Sequence, residues 1–432
     1  MRNVSLWQGL LGVEKAVIEQ VEFVDDDQML VVHVRPTSRA RGRCGVCGKP
    51  RPGYDRGPGR RQWRHLDFGA VMVYLESDTP RVKCPKHGIV VAQVPWARHT
   101  AGHTRAFDDQ VAWLATQTSK TAVTKLMRVA WRTVGAIIAR VWADIDKQVD
   151  RFADLKRIGI DEISYKKGHK YLTVVVDHDT RRLVWATPGR DAATVRSFFE
   201  RLGPARCAQI SHVSADGADF IETAVAEMCP NAIRVADPFH IVSWATDALD
   251  EVRRQAWNDA RALARTEPAL PRGRPPAGTP PRPGHQLAST LKNARYALWK
   301  NPENLTDHQQ EKLKWIALTD KRLYRAYLLK EGLRVVFQLP LDGATEALDK
   351  WISWARRCRI PAFVKLQKSI QKHRLRILAA IEHGLSNALI ESTNTKIRLL
   401  TRKAFGFHSA EPLIALAMLT LGGYPPTLPG RK

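Results

Sequence analysis

The chain has 432 residues, with 68 Lys plus Arg against 43 Asp plus Glu, a net charge of +25 and a pI of about 10.1. That length allows two to four domains with cores of their own, and that charge favours a polyanionic partner, because phosphate neutralisation with counterion release drives binding whatever the sequence. The N-terminal Met-Arg-Asn-Val-Ser-Leu-Trp lacks the apolar core of a signal peptide, no stretch reaches the roughly 18 apolar residues of a membrane span, and the six cysteines are too unevenly spaced for a disulfide framework, so a reducing cytoplasm without a membrane is expected.

Residues 1–100 read as mostly strand. Val17, Val21 and Phe23 belong to one apolar run, Met29 to Val34 form a second and Val71 to Leu75 a third, with Gly and Arg clusters between them. Cys44-Gly-Val-Cys47 and Cys84-Pro-Lys-His87 share one internal spacing. Three thiolates and an imidazole in two such pairs suit a closed tetrahedral site, so Cys44, Cys47, Cys84 and His87 are the expected ligands of one structural Zn2+. The 36 residues between the pairs exceed a usual finger, and the intervening strands must bring them together. Such an ion would fold a module too small to rely on its core.

The period changes at 105–147. Val111, Leu114 and Ala115 fit one helix, Ala122, Val123 and Leu126 a second, and Val134, Ile137, Ile138 and Val141 a third. Three short helices with tight joints predict a helix-turn-helix unit. Arg132, Thr133, Ala136 and Arg140 are expected to face away from the third helix's core stripe, where such a face can enter a major groove. A plain helical linker is the competing reading.

From 157 to 237 the order is three strands, a helix, a strand, a helix and a strand. The predicted strands are Arg157–Asp161, Tyr171–Val176, Leu183–Ala186, Gln209–Ala215 and Ile233–Ala236, with helices at Ala192–Leu202 and Phe220–Met228; the pattern is an α/β unit with a mixed sheet. Asp161 follows Arg-Ile-Gly-Ile at one strand end, and Asp216 follows Ile-Ser-His-Val-Ser-Ala at another. Glu162 and Asp219 are their neighbouring competitors. Lys166 and Lys167, with His169 and Lys170, occupy the turn after the first strand and are expected on the DNA backbone. Asp237-Pro-Phe-His240 follows the last strand. Asp237 and His240 are possible accessory residues: His240 could protonate a leaving oxygen, contact phosphate or cap a helix.

Thr266–Gln286 is crowded with Pro, Arg and Gly and reads as an exposed basic loop. Residues 288–380 return to helical periodicity. Glu391 then sits in a helical pattern with Asn387, Asn394 and Arg398 at −4, +3 and +7, on one face beside Ile390 and Ile397. The asparagines could bind DNA or orient the carboxylate. Two strand-end carboxylates and one helical carboxylate can hold a pair of divalent cations against a phosphodiester.

Taken together, the Cys/His pairs, the helix-turn-helix, Gly-Ile-Asp161-Glu, Ser-Ala-Asp216-Gly, Val-Ala-Asp237-Pro-Phe-His240, Lys300-Asn-Pro-Glu-Asn-Leu-Thr306 and Asn387-Ala-Leu-Ile-Glu391-Ser-Thr-Asn394-Thr-Lys-Ile-Arg398 resemble the bacterial insertion-sequence transposases of the ISL-three family over nearly the whole length. The resemblance implies a multidomain α+β protein: a zinc-binding β-rich module (1–100), a helix-turn-helix domain (105–147) and a ribonuclease-H-like catalytic core (150–260 and 376–432) interrupted by an all-helical insertion (261–375). It implies Asp161, Asp216 and Glu391 as the Asp-Asp-Glu triad holding two Mg2+ (or Mn2+) ions. It further implies double-stranded DNA as partner, both terminal inverted repeats and target, with Arg132, Thr133, Arg140, Lys166, Lys167, Asn394 and Arg398 contacting it. A homodimer or larger assembly on DNA follows by analogy, in a bacterial cytoplasm close to the nucleoid. A regulator derived from such an enzyme, or a structure-selective nuclease that cuts without joining, are the alternatives.

Overall fold

The computed structural model describes residues 2–24, 28–215, 219–267 and 282–431. The chain divides into two compact units, Met1–Arg151 with Lys396–Lys432, and Phe152–Thr395. Asp216 and most of the Pro/Arg-rich stretch (268–281) lie outside the described residues, as does the side chain of Asp219. No helix among the described residues is long and apolar enough to cross a membrane.

The first unit opens with helix α1 (Arg2–Leu11) and strands β1 (Ala16–Val24), β2 (Met29–Pro36), β3 (Gly53–Asp55), β4 (Arg60–Arg64), β5 (Met72–Asp78), β6 (Arg81–Cys84) and β7 (Gly88–Val91). One sheet runs β1-β2-β5-β4, with β2 and β5 parallel; a smaller antiparallel sheet runs β3-β6-β7. Ile18 pairs with Val34 and Gln20 with His33, so Glu19 is an extra residue in β1. This bulge resets the alternation. Ala16 and Ile18 before it and Val21 after it therefore share the core face with Val32, Trp63, Val73 and Leu75, while Phe23, read as part of the apolar run, is largely exposed all the same.

Helices α2 (Arg105–Gln117), α3 (Lys120–Met127) and α4 (Trp131–Asp146) follow. Thr104 and Ser119 cap α2 and α3 by accepting from the Phe107 and Ala122 amides, and Arg128 ends α3 in the left-handed region at φ 51°. The buried faces of α2 and α4 carry Phe107, Val111, Ala115, Val134, Ile137, Ile138 and Val141. In α3 the expected face is wrong by part of a turn. Val123 and Met127 are buried with Lys120, whereas Ala122 is exposed and Leu126 is 61 % exposed. The Lys120 ammonium sits 3.3 Å from the Trp131 ring centroid, so the indole face takes the place of an anion; burial lowers its pKa to about 8. Asp108 on α2 is fully buried and accepts both branches of the Arg140 guanidinium at 2.9 Å, with Arg98 at 3.4 Å. Arg140, expected on the outward face of α4, instead ties α4 to α2.

The second unit holds a five-stranded sheet ordered β10-β9-β8-β11-β12, from β8 (Arg157–Lys166), β9 (Lys170–Asp177), β10 (Arg182–Pro188), β11 (His212–Ala215) and β12 (Ile233–Val235). β8, β9 and β10 form an antiparallel meander, and β11 and β12 lie parallel to β8. Helices α5 (Ala192–Leu202), α6 (Pro204–Cys207) and α7 (Asp219–Met228) accompany it, and Ile158, Ile160, Val175, Trp185, Phe198, Phe199 and Val213 share its core. A separate apolar core joins α8 (Pro238–Thr266), α9 (Pro283–Lys292), α10 (Arg295–Trp299), α11 (Asp307–Thr319), α12 (Lys321–Val336), α13 (Leu341–Arg357), α14 (Pro361–Lys372) and α15 (Arg374–His383) through Leu249, Leu323, Leu333, Leu348, Trp351, Phe363 and Ile370. α16 (Ala388–Lys403) belongs to this unit through Thr395. α17 (Ala410–Leu421) packs on α4 and α2 in the first unit.

Replacing Asp108 with Asn takes the carboxylate from the half-buried Arg140, while the buried Arg98 keeps Asp109 and Asp144. The loss expected in chemical denaturation is about 1–3 kcal/mol; a loss below about 0.5 kcal/mol would show that the helices do not depend on this pair.

Candidate functional site

In the first unit, the small sheet and the Cys44–Cys47 knuckle converge. Cys84 ends β6, and the tight turn into β7 returns His87 beside it. Gly45 admits the knuckle's close approach, since a Cβ there would lie 2.5 Å from the Val91 carbonyl oxygen. His87 Nδ1 is 3.5 Å from both Cys44 Sγ and Cys84 Sγ, and Cys47 Sγ is 3.9 Å from Cys84 Sγ. All four ligand atoms lie within 4.8 Å of one another. A tetrahedron with ordinary zinc–sulfur and zinc–nitrogen bond lengths has edges of about 3.5–3.8 Å, so the four side chains fit a closed metal shell. Burial acts to raise the Cys84 thiol, but the Lys86 and His87 amides and the His87 ring outweigh it and hold the thiol at about 6. Burial pushes Cys44 up. The fourfold set was legible from spacing alone.

In the second unit, Asp161 lies in the middle of β8, opposite Val174 on β9, and not at a strand end as the sequence implied. β8 runs five residues further because β9 returns antiparallel through a hairpin whose tip, Gly168 (φ 83°) and His169 (φ 57°), takes the left-handed backbone. On the other side the last described pair with β11 is Ala215 opposite Ile160, the residue before Asp161. Asp161 is half-buried. Its Oδ1 accepts from the Glu162 amide and its Oδ2 from Asn394 Nδ2 on α16, both at 2.7 Å. Asn394 is 2 % exposed.

A second tie joins the start of α16 to the start of α8. The Asn387 amide donates to Asp237 Oδ1 at 3.3 Å, and Asp237 Oδ2 pairs with His240 Nδ1 at 2.7 Å. Asp237 is buried, and the His240 side chain is 36 % exposed. The predicted polar stripe on α16 therefore splits. Asn387 and Asn394 turn inward with Ile390, while Glu391 and Arg398 are exposed. Asn394, expected on DNA, is committed to Asp161. The side-chain oxygens Asn387 Oδ1 and Asn394 Oδ1 are buried with no hydrogen-bond donor among the described residues.

Comparison with known proteins decides the family. A DDE transposase model of the ISL3 family matches residues 158–417, its helix-turn-helix domain model matches 92–142, and the zinc-finger model of transposases IS204/IS1001/IS1096/IS1165 matches 40–87. The transposases for insertion sequence element IS1557 from two strains of Mycobacterium tuberculosis are each 64 % identical over 436 residues, covering 100 % of this chain and 98 % of theirs. The transposase for element IS1001 from Bordetella parapertussis is 26 % identical over 95 % of each chain. The chain belongs to the ISL3 family of transposases.

The other expected site residues of this transposase are distributed as follows. Arg132 is exposed and Thr133 half-buried on α4. Lys166 and Lys167 are exposed at the β8–β9 hairpin tip. Sequence reasoning missed a cavity of about 40 Å3 lined by Ala215, Glu222, Arg234, Asp237, His240 and Arg376. Arg376 forks onto Glu222 and keeps that carboxyl below its usual range against the effect of burial. Arg234 Nε and Nη1 are buried without an acceptor among the described residues, and burial lowers its pKa to about 10. An arginine on a short apolar strand was the one available signal, and it gave no partner.

Replacing Cys84 with Ser removes one thiolate from the Cys/His shell. The purified protein is expected to lose its single bound metal equivalent, measured by elemental analysis. Because protons compete with the metal for thiolates, wild-type protein should release it on acidification, at a pH below that at which the metal-free thiols take up protons. Full retention of metal in the Cys84→Ser protein would remove these residues from the site.

Proposed function

We propose that Asp161, Asp216 and Glu391 are the catalytic carboxylates with which this transposase cuts the terminal inverted repeats of its insertion sequence and joins the exposed ends to target DNA. The observation that carries this reading is the hydrogen bond from Asn394 to Asp161. Glu391 precedes Asn394 by three residues on the same helix, which sets their Cβ atoms about 5–6 Å apart. Asp216 is one peptide bond past Ala215, the partner of Ile160, so covalent geometry alone holds its Cα about 3.8 Å from that of Ala215. The sheet order, with a three-stranded antiparallel meander and two strands parallel to its first member, supports a ribonuclease-H-like core, and the helices from α8 to α15 are read as its insertion.

The donor set fits divalent cations. It is made of hard carboxylate oxygens, the ligand type such cations take. Two Mg2+ (or Mn2+) ions held there would supply the Lewis acidity that phosphodiester attack requires. The residues of this chain then have defined tasks. Asn394 and the Glu162 amide fix the Asp161 carboxylate. Glu391 is exposed, so a DNA strand can reach it. Asp237 orients His240 through Nδ1, and we assign this pair an accessory role at the phosphate. The reaction breaks one phosphodiester with water to leave a 3′-hydroxyl. That oxygen then attacks a target phosphodiester, one bond forming as one breaks, so no serine or tyrosine nucleophile is needed.

The remaining assignments follow from placement. One structural Zn2+ would be held by Cys44, Cys47, Cys84 and His87. Exposed Arg132, with Thr133, is the groove-reading candidate on α4, and Lys166, Lys167 and Arg398 are backbone contacts. Arg140 is withdrawn from that set by Asp108. Two ends must be brought together, so the active form is read as a dimer or larger assembly on DNA, in the cytoplasm near the nucleoid.

Asp161→Asn is expected to bind a labelled terminal repeat with wild-type affinity and to nick it only at background level in Mg2+ buffer. Equal nicking by both proteins would overturn the assignment.

A further inference from the structure

Asn394 does more than fill the interface between α16 and β8. The amide's orientation follows from chemistry, because a carboxylate oxygen at 2.7 Å needs a donor and only Nδ2 can be one. Its Oδ1 is thereby fixed in a buried position where no group among the described residues donates to it. Asn387, seven residues earlier on the same face, repeats this: its backbone amide serves Asp237 while its Oδ1 is buried without a donor. An unmade hydrogen bond on a buried amide costs about 1–3 kcal/mol, and here it occurs twice, on either side of Glu391. Asn394 Oδ1 belongs to the side chain that holds Asp161, and neither oxygen meets a donor among the described residues. A hydrated divalent cation would bring donors of this kind in its coordinated waters. It would also explain why Asn is used where a Leu of the same shape would pack without an unmade bond.

We infer that Asn394 is a positioning residue for the divalent-cation site: its amide N–H holds one oxygen of Asp161 in place, and its side-chain oxygen accepts from the hydration shell of the bound cation. This rests on the carboxylate assignment made above. Groups that orient metal ligands without binding the metal typically control affinity by 10–100-fold, and Asn394 should act at that level.

The test is isothermal titration of Mn2+ into the full-length, zinc-loaded protein without DNA. Asn394→Ala should bind Mn2+ 10–100-fold more weakly than wild type while binding the terminal repeat equally well in metal-free buffer. Asn394→Leu keeps the volume and removes both polar atoms. It should show the same loss of Mn2+ affinity with a metal-free unfolding midpoint at or above that of wild type, and it decides the matter if the alanine protein does not fold. Wild-type Mn2+ affinity in the folded Asn394→Leu protein overturns the inference. Asp161→Asn, run alongside, separates the two levels: if it loses Mn2+ and Asn394→Leu does not, only the positioning role fails, and if neither loses Mn2+, the carboxylate assignment fails as well.

Discussion

A single hydrogen bond between residues 233 positions apart in the chain organises the second unit's chemistry. Asn394 on α16 reaches Asp161 in the middle of β8, and the bond fixes the phase of the helix against the strand more sharply than apolar packing, which is tolerant of small slides. Ile390 buries the same helix face but leaves its phase along the strand open. The bond from the Asn387 amide to Asp237 adds a second fixed point two turns away. Two such points determine where Glu391 stands, although Glu391 itself is exposed.

The first unit applies the same logic with other chemistry. Its helices are tied by a fully buried carboxylate shared between Arg98 and Arg140, and by a lysine set over an indole ring. A chain with an excess of 25 positive charges thus spends some of its cations internally, where they define helix packing. Those left outward, such as Arg132 and the Lys166–Lys167 pair, are the ones that can neutralise phosphate.

Much of this was legible in the sequence, and the parts that were not share physical causes. The Cys/His set could be read because metal ligation demands specific residue types at specific spacing. Helix α5 matches its predicted limits, Ala192–Leu202, because an Asp191 cap and a Gly203 stop bracket a clear apolar period. The face of α3 could not be read: in eight residues, one apolar stripe is nearly as good as its neighbour, and burial of Lys120 over Trp131 overrides hydropathy. Arg140 and Asn394 look outward-facing in sequence because a polar side chain carries no mark of whether its partner is DNA or a buried carboxylate. The extra residue in β1 breaks the alternation that would otherwise link Ala16 and Ile18 to Val21 on one face. Asp161 was read as a strand end because the apolar run stops there, yet β9 carries the strand on by backbone pairing, which does not need apolar side chains.

The account depends on acidic groups from β8, the exit of β11 and α16 gripping common cations. Anomalous scattering from crystals grown with Mn2+, collected at the manganese edge, tests it most directly. The account predicts manganese peaks coordinated jointly by Asp161, Asp216 and Glu391, with Asn394 Oδ1 accepting from a coordinated water. Manganese bound by the strand carboxylates with Glu391 turned away and unable to reach it, or no manganese near Asp161 at all, would contradict it.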